Sequence, residues 1–196
     1  MKAADDADLC KLCTDEDALA ELRELAARRR RYDQEVAALA EGAGSRACMI
    51  VDTREQIPWW LAAPETYPNC ELGTLPSGDY SLEGWEEQVC VERKTLADLF
   101  GSCASGRDRF EAEWERMSHL DYAVVVVEAS FVDVTRGYYR SKMSPKAVIA
   151  TLQAWSIRYG VHVHFAGRRG LAERWAYRLL QKFWAEQQKM ALRGVR

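Results

Sequence analysis

No stretch of this chain approaches the roughly 18 uninterrupted apolar residues of an α-helical membrane span. Its first ten residues, MKAADDADLC, are acidic where a secretory leader would be basic and then apolar. Both absences point to a soluble, cytoplasmic protein. Internal repeats and low-complexity tracts are also missing, which excludes repeat architectures and tails of biased composition. The six cysteines (Cys10, Cys13, Cys48, Cys70, Cys90 and Cys103) do not form the framework of a small disulfide-stapled domain. Several fall inside strand-like or helix-like patterns, as reduced thiols do. Cys10 and Cys13 make half of a zinc motif, but no second C-x-x-C or H-x(3)-H supplies the remaining ligands, so an incidental pair of thiols is the better reading.

A basic surplus is lacking too: the net charge is -3, which excludes a broadly basic nucleic-acid binder. The average hides an asymmetry. Eight acids and three bases fall within residues 1–27, whereas residues 134–172 contain no acid and seven bases, Arg136, Arg140, Lys142, Lys146, Arg158, Arg168 and Arg169. Such a local positive face attracts a polyanion over about 8–10 Å at ordinary salt, although a solvated basic surface has the same composition.

What is present is a chain of 196 residues, 48% hydrophobic, enough for one domain with a sizeable core. Residues 15–41 contain no Gly or Pro and repeat Leu19, Leu22, Leu25, Val36 and Leu39, which predicts a long helix broken by EGAGS. Residues 1–46 are therefore expected to form a helical extension, and 47–196 the main domain. There, CMIVD (48–52), ELGTL (71–75), the DYSLEG and QVCVERK arms of a hairpin, YAVVVVEA (122–129) and VHVHF (161–165) read as strands. Helices are expected from near Thr95, over GRDRFEAEWERM, from Ser144-Pro145 to Gly160, and over 170–189. Strands interleaved with helices predict an α/β fold, a central sheet flanked by helices.

The hairpin carries the chemistry. Its second arm, VCVERKTLADLF, passes from an apolar alternation into Glu92-Arg93-Lys94. Side chains alternate faces along a strand, so Glu92 and Lys94 share one face and Arg93 points to the other. A turn centred between Trp85 and Glu86 pairs Leu82 with Val89, Tyr80 with Val91, and Asp79 with Glu92. Two opposed carboxylates repel, and one is forced to hold its proton unless a divalent cation favours both ionised forms. Hard oxygen donors suit Mg²⁺ or Mn²⁺ (magnesium or manganese), and Lys94 beside them is placed to assist water attack or to stabilise charge on a phosphate. An exposed Glu–Lys pair on a strand edge is the plainer alternative. Thr95-Leu96-Ala97-Asp98 fits a capping box, so Asp98 is assigned to capping rather than to metal.

Gly78-Asp79, Glu92-Arg93-Lys94 and Asp98 together resemble the G-D-x(n)-E-R-K-x(3)-D signature of the XPF-type nuclease domain, and VDTRE upstream is similar to that family's D-x-R-E element. The similar region runs from about Cys48 to beyond Val148. The resemblance implies a restriction-endonuclease-like fold of the PD-(D/E)XK type and a divalent-metal-dependent DNA endonuclease. Asp52, Asp79 and Glu92 would form the metal site, and Glu55, Arg93 and Lys94 would take catalytic or supporting roles, with Arg54 in the same signature. DNA is the implied partner. The tandem helix-hairpin-helix that grips DNA and dimerises many relatives is not legible here, which leaves junction selectivity and a homodimer open. Compact versions of the family resemble phage or prophage accessory nucleases. A non-catalytic DNA-binding subunit, and cleavage of RNA, are the alternatives.

Arg107 and Arg109 resemble the family's basic residues near the cleft, although pairing with Asp108, Glu111 and Glu113 would explain them equally well. Tyr138, Tyr139, Arg140 and Lys142 combine aromatic rings with cations in an expected loop, the composition of a non-specific strand-binding surface.

Overall fold

The structure is a computed structural model that describes residues 47–192 apart from 62 and 139, together with Ala20, Arg23, Glu24 and Ala27. The chain divides into two units after Arg46. The expected helix over 15–41 and the Cys10–Cys13 pair lie outside the described residues, save for helical backbone at those four positions.

Six strands form one mixed sheet in the order β2-β1-β3-β4-β5-β6. They are β1 (Met49–Asp52), β2 (Cys70–Gly73), β3 (Tyr80–Leu82), β4 (Val89–Lys94), β5 (Tyr122–Val127) and β6 (His162–Phe165). Only β3 runs against its neighbours; β1 pairs with β2, β4 with β5, and β5 with β6 in parallel. β5 sits inside the sheet, and its four valines are fully buried, so apolar residues face both layers of helix. Each such buried side chain contributes roughly 1.5–3 kcal/mol.

Helices α1 (Leu96–Cys103), α2 (Arg107–Met117) and α4 (Pro145–Tyr159) cover one face, where Leu99, Phe100, Phe110, Trp114 and Trp155 pack with Cys90, Val125 and Val127. The long α5 (Arg169–Leu192) lies against β3, β4 and β5 on the other. There Tyr80 stacks on Trp59 at 4.6 Å, and Trp60 meets Tyr177 of α5 edge-on at 5.4 Å. The expected caps are present in part. Thr95 Oγ1 accepts the Asp98 N–H at 3.2 Å and donates to its carboxylate at 2.6 Å, without the reciprocal backbone bond of a full capping box. Pro145 opens α4 after Ser144, whose side chain makes no capping bond, and Gly160, at φ 68°, closes it.

One element differs from expectation. A short helix, α3 (Phe131–Arg136), takes up the start of the predicted basic loop. Ser130 and Asp133 form a reciprocal capping box, with Asp133 N–H to Ser130 Oγ at 3.1 Å and Ser130 N–H to Asp133 Oδ2 at 2.9 Å. No helix among the described residues is long and apolar enough to cross a membrane.

Candidate active site

The strand directions bring the charged residues to one edge. β1 and β4 end there, at Asp52 and Lys94; β5 leaves it at Glu128, and the antiparallel β3 enters it just after Asp79. The carboxyl ends of parallel strands are where departing loops leave a crevice.

Asp79 depends on the glycine before it. Gly78 has φ +73°, and a Cβ there would lie 3.0 Å from Cys90 Cβ and 3.1 Å from the Val91 carbonyl oxygen. A side chain at position 78 is thus opposed by both conformation and space. Tyr80 pairs with Val91 as the register predicts. The flanking pairs do not continue the ladder. Ser81 Oγ donates to the Val89 carbonyl at 2.6 Å, and Val89 N–H bonds Trp85 O at 3.0 Å in a loop wider than the tight turn expected. Asp79 N–H goes to Val91 O at 2.9 Å, and its Oδ2 accepts the Arg93 amide at 2.7 Å. A carboxylate therefore stands where a regular ladder would offer a carbonyl.

Glu92 is 8% exposed, and its Oε1 accepts from Lys94 Nζ on the α1/α2 face. The Lys94 ammonium also lies 4.9 Å over the Phe110 ring. Burial, and then the Glu92 charge, push the Asp79 carboxyl up to about 8. Burial likewise raises Glu92 against the pull of Lys94, and Glu113 and Glu55 add to that rise. Lys94 is raised despite its burial, because Glu92 and Asp79 face it, so it stays protonated near neutrality. Asp79 Oδ1, Glu92 Oε2 and Glu55 Oε2 have no hydrogen bond among the described residues; the second oxygen of each is held by Arg93 N–H, by Lys94, and by Ile57 N–H with Arg93 Nη1, respectively.

Asp52 differs. Its Oδ1 accepts from Arg54 N–H (2.8 Å) and Nε (2.7 Å), and its Oδ2 from Arg54 Nη2 and Leu75 N–H (both 2.8 Å). Four bonds occupy both oxygens of a side chain that is 1% exposed. Burial would raise this carboxyl, but the bonds from Arg54 and Leu75 outweigh it and hold it below the usual range. Asp52 thus ties the end of β1 to the Leu75 loop. Among the described residues no three acid, His or Cys side chains converge as a ready metal cage.

Arg93 turns to the opposite face, as strand alternation predicts, and lies 5.6 Å over Trp59. It binds Glu128, Glu55 and the Ile57 carbonyl. Arg54 is exposed, with its fork on Asp52. Arg107 is engaged elsewhere, donating to Thr151 Oγ1 at 2.9 Å and lying 4.9 Å over Trp155. Arg109 is exposed. Tyr138 is half-buried against the core, its ring 6.5 Å from Phe100, while Arg140 and Lys142 are exposed. Tyr139 lies outside the described residues.

Two acids of the site escaped the sequence reading. Glu113 Oε1 accepts the Gly78 N–H at 2.9 Å, which anchors the turn into Asp79 from α2. Glu128 follows the apolar run of β5, and a lone acid directly after four consecutive valines was the available sign.

A pH dependence follows. Unfolded aspartate titrates near 3.8, whereas folded Asp79 titrates near 8. Folding therefore takes up a proton between those values, and this stabilising contribution, complete at low pH, is lost as pH rises through the folded value. In chelator, the wild-type melting temperature is expected to fall more steeply from about pH 5 to about pH 8 than that of Asp79→Asn, which cannot ionise. Equal slopes would show that Asp79 titrates at its ordinary value.

The model of the ERCC4 domain matches residues 51–179. XPF from Aeropyrum pernix superposes with a TM-score of 0.57 at 22% identity, over 69% of this chain and 64% of that one. XPF from Aeropyrum pernix in complex with DNA gives a TM-score of 0.57 at 21% identity, over 72% and 66%. This chain therefore spans just under two thirds of those structures, and the likeness is one of fold. No curated protein matches.

Proposed function

This chain belongs to the ERCC4 domain family, and from that premise we propose that it is a divalent-metal-dependent DNA endonuclease. One observation carries the reading: the buried carboxyls of Asp79 and Glu92, each with an open oxygen, lie beside a protonated Lys94 at the edge where the strands end. The fold likeness to a protein solved in complex with DNA supports the polymer.

The donor set fits Mg²⁺ or Mn²⁺, both hard cations that take carboxylate oxygens and keep several waters. Asp79 and Glu92 would hold the ion, and Glu55 is a further acid whose charge acts on both. Such an ion supplies Lewis acidity toward a phosphodiester and a water nucleophile. Asp52, saturated by Arg54 and Leu75, serves in this reading as the clamp that fixes β1 and not as a ligand. Lys94 is held protonated, so its role is that of a donor to charge developing on phosphate rather than a general base. Arg109, Arg140 and Lys142 are exposed, and in this reading their charges would meet the nucleic-acid backbone, while the exposed Arg54 keeps its fork on Asp52.

Cleavage assays on duplex, single-stranded, flap, fork and four-way DNA with each metal test the reading. Metal-dependent hydrolysis of at least one substrate is the expected result. The filled coordination of Asp52 and the lack of a three-acid cage among the described residues favour one alternative, a non-catalytic DNA-binding subunit. Binding of branched DNA without cleavage under any metal would establish it. An RNA panel and light scattering decide the nucleic acid and the homodimer that the sequence leaves open.

A further inference from the structure

We propose that Glu128, which lies outside every motif above, is the positioning residue that keeps Glu55 available to a cation; this rests on the nuclease reading. Glu128 follows β5, where its N–H bonds Lys94 O at 2.8 Å, so it is fixed to the end of the strand that carries Glu92 and Lys94. Its side chain is 8% exposed. Oε1 accepts from Trp59 Nε1 and Arg93 Nε, both at 2.8 Å, and Oε2 accepts from Arg93 Nη2 at 3.3 Å.

This two-point grip fixes the plane of the guanidinium. Only Nη1 is then directed toward Glu55, whose Oε1 it meets at 3.0 Å, and toward the Ile57 carbonyl at 2.8 Å. Glu55 Oε1 also takes the Ile57 N–H at 3.0 Å, and its Oε2 stays open. Two carboxylates share one guanidinium, so the Glu55–Arg93–Glu128 chain retains one net negative charge. Without Glu128, the Arg93 fork is released and its natural partner is the whole Glu55 carboxylate, which closes the open oxygen and neutralises the charge. Residues that orient ligands in this way typically change metal affinity or activity about 10–100-fold when altered.

The test compares wild type with Glu128→Gln, which keeps shape and an acceptor for Trp59 and Arg93 Nε but loses the charge and the second acceptor. Calorimetric titration of DNA-free protein with Mn²⁺ is expected to show a dissociation constant raised about tenfold or more. Cleavage should lose kcat by about the same factor with KM for DNA unchanged. Glu128→Asp, which keeps the charge but withdraws the fork by one methylene, is the second variant; it is expected to fold and to show the same weakened metal binding. A loss of thermal stability with unaltered Mn²⁺ affinity in both variants would reduce Glu128 to a structural role and overturn the proposal. Wild-type protein that binds Mn²⁺ but cleaves nothing would refute the nuclease reading and leave the affinity comparison standing. Wild-type protein that binds no metal overturns both.

Discussion

Glu92→Gln is expected to fold like the wild type and to hydrolyse DNA on the order of a thousandfold more slowly. The substitution preserves volume and lets an amide oxygen accept from Lys94, so the packing around position 92 survives. It removes the negative charge that, after burial, acts most strongly on Asp79. Two consequences follow. Asp79 ionises more easily, and the pair offers a cation one charge instead of two. A cation in such a site contributes several kcal/mol of charge stabilisation in the transition state, and about 4 kcal/mol corresponds to roughly a factor of a thousand in rate. Asp79→Asn should match it, while Lys94→Met, which removes the only donor on Glu92 Oε1 among the described residues, should lower kcat more than it raises KM. Burst measurements with excess enzyme separate the chemical step from product release. Glu92→Gln protein with wild-type kcat would remove these carboxyls from the chemistry.

The largest effect on stability is expected at the neighbouring residue. Arg93 has a side chain only 8% exposed between two carboxylates, and the carboxylate of Glu128 is equally buried. Arg93→Ala leaves Glu128 with the Trp59 indole N–H as its sole side-chain donor among the described residues and strips the Glu55–Ile57 turn of a tie. Breaking a buried ion pair by removing one partner costs roughly 3–5 kcal/mol, because the other charge stays buried. At about 2–4 °C per kcal/mol for a domain of this size, the melting temperature should drop by roughly 10 °C. Arg93→Lys keeps a charge but not the fork, and should fall between wild type and Arg93→Ala. A loss below about 1 kcal/mol for Arg93→Ala would mean that water reaches Glu128 freely.

The strands and their faces were legible because period-2 alternation is a local property. It separated Arg93 from Glu92 and Lys94, and it paired Tyr80 with Val91. Helix starts were legible for the same reason: Thr95 and Pro145 act within one turn. What was not legible depends on contacts remote in sequence. Nothing near Asp52 announces that the Leu75 amide, 23 residues on, will share its carboxylate with Arg54. The grip of Glu113 on Gly78 spans 35 residues, and so does that of Glu128 on Arg93. The Asp79–Glu92 pairing was half right, since both acids reach the same edge although the backbone there departs from a regular ladder. Tyr138 had the composition of a stacking residue, and the core claimed its ring.

Arg93 also holds Asp79 through its main-chain amide, at 2.7 Å. That donor belongs to the position and not to the residue type, so any amino acid except proline supplies it. Position 93 is therefore under two separable constraints. Drift of the side chain would disturb Glu55 and Glu128 while leaving Asp79 tethered, and a proline alone would cut the tether. A lineage could thus change the arginine and keep the first acid in place, whereas Asp79 itself has no such freedom.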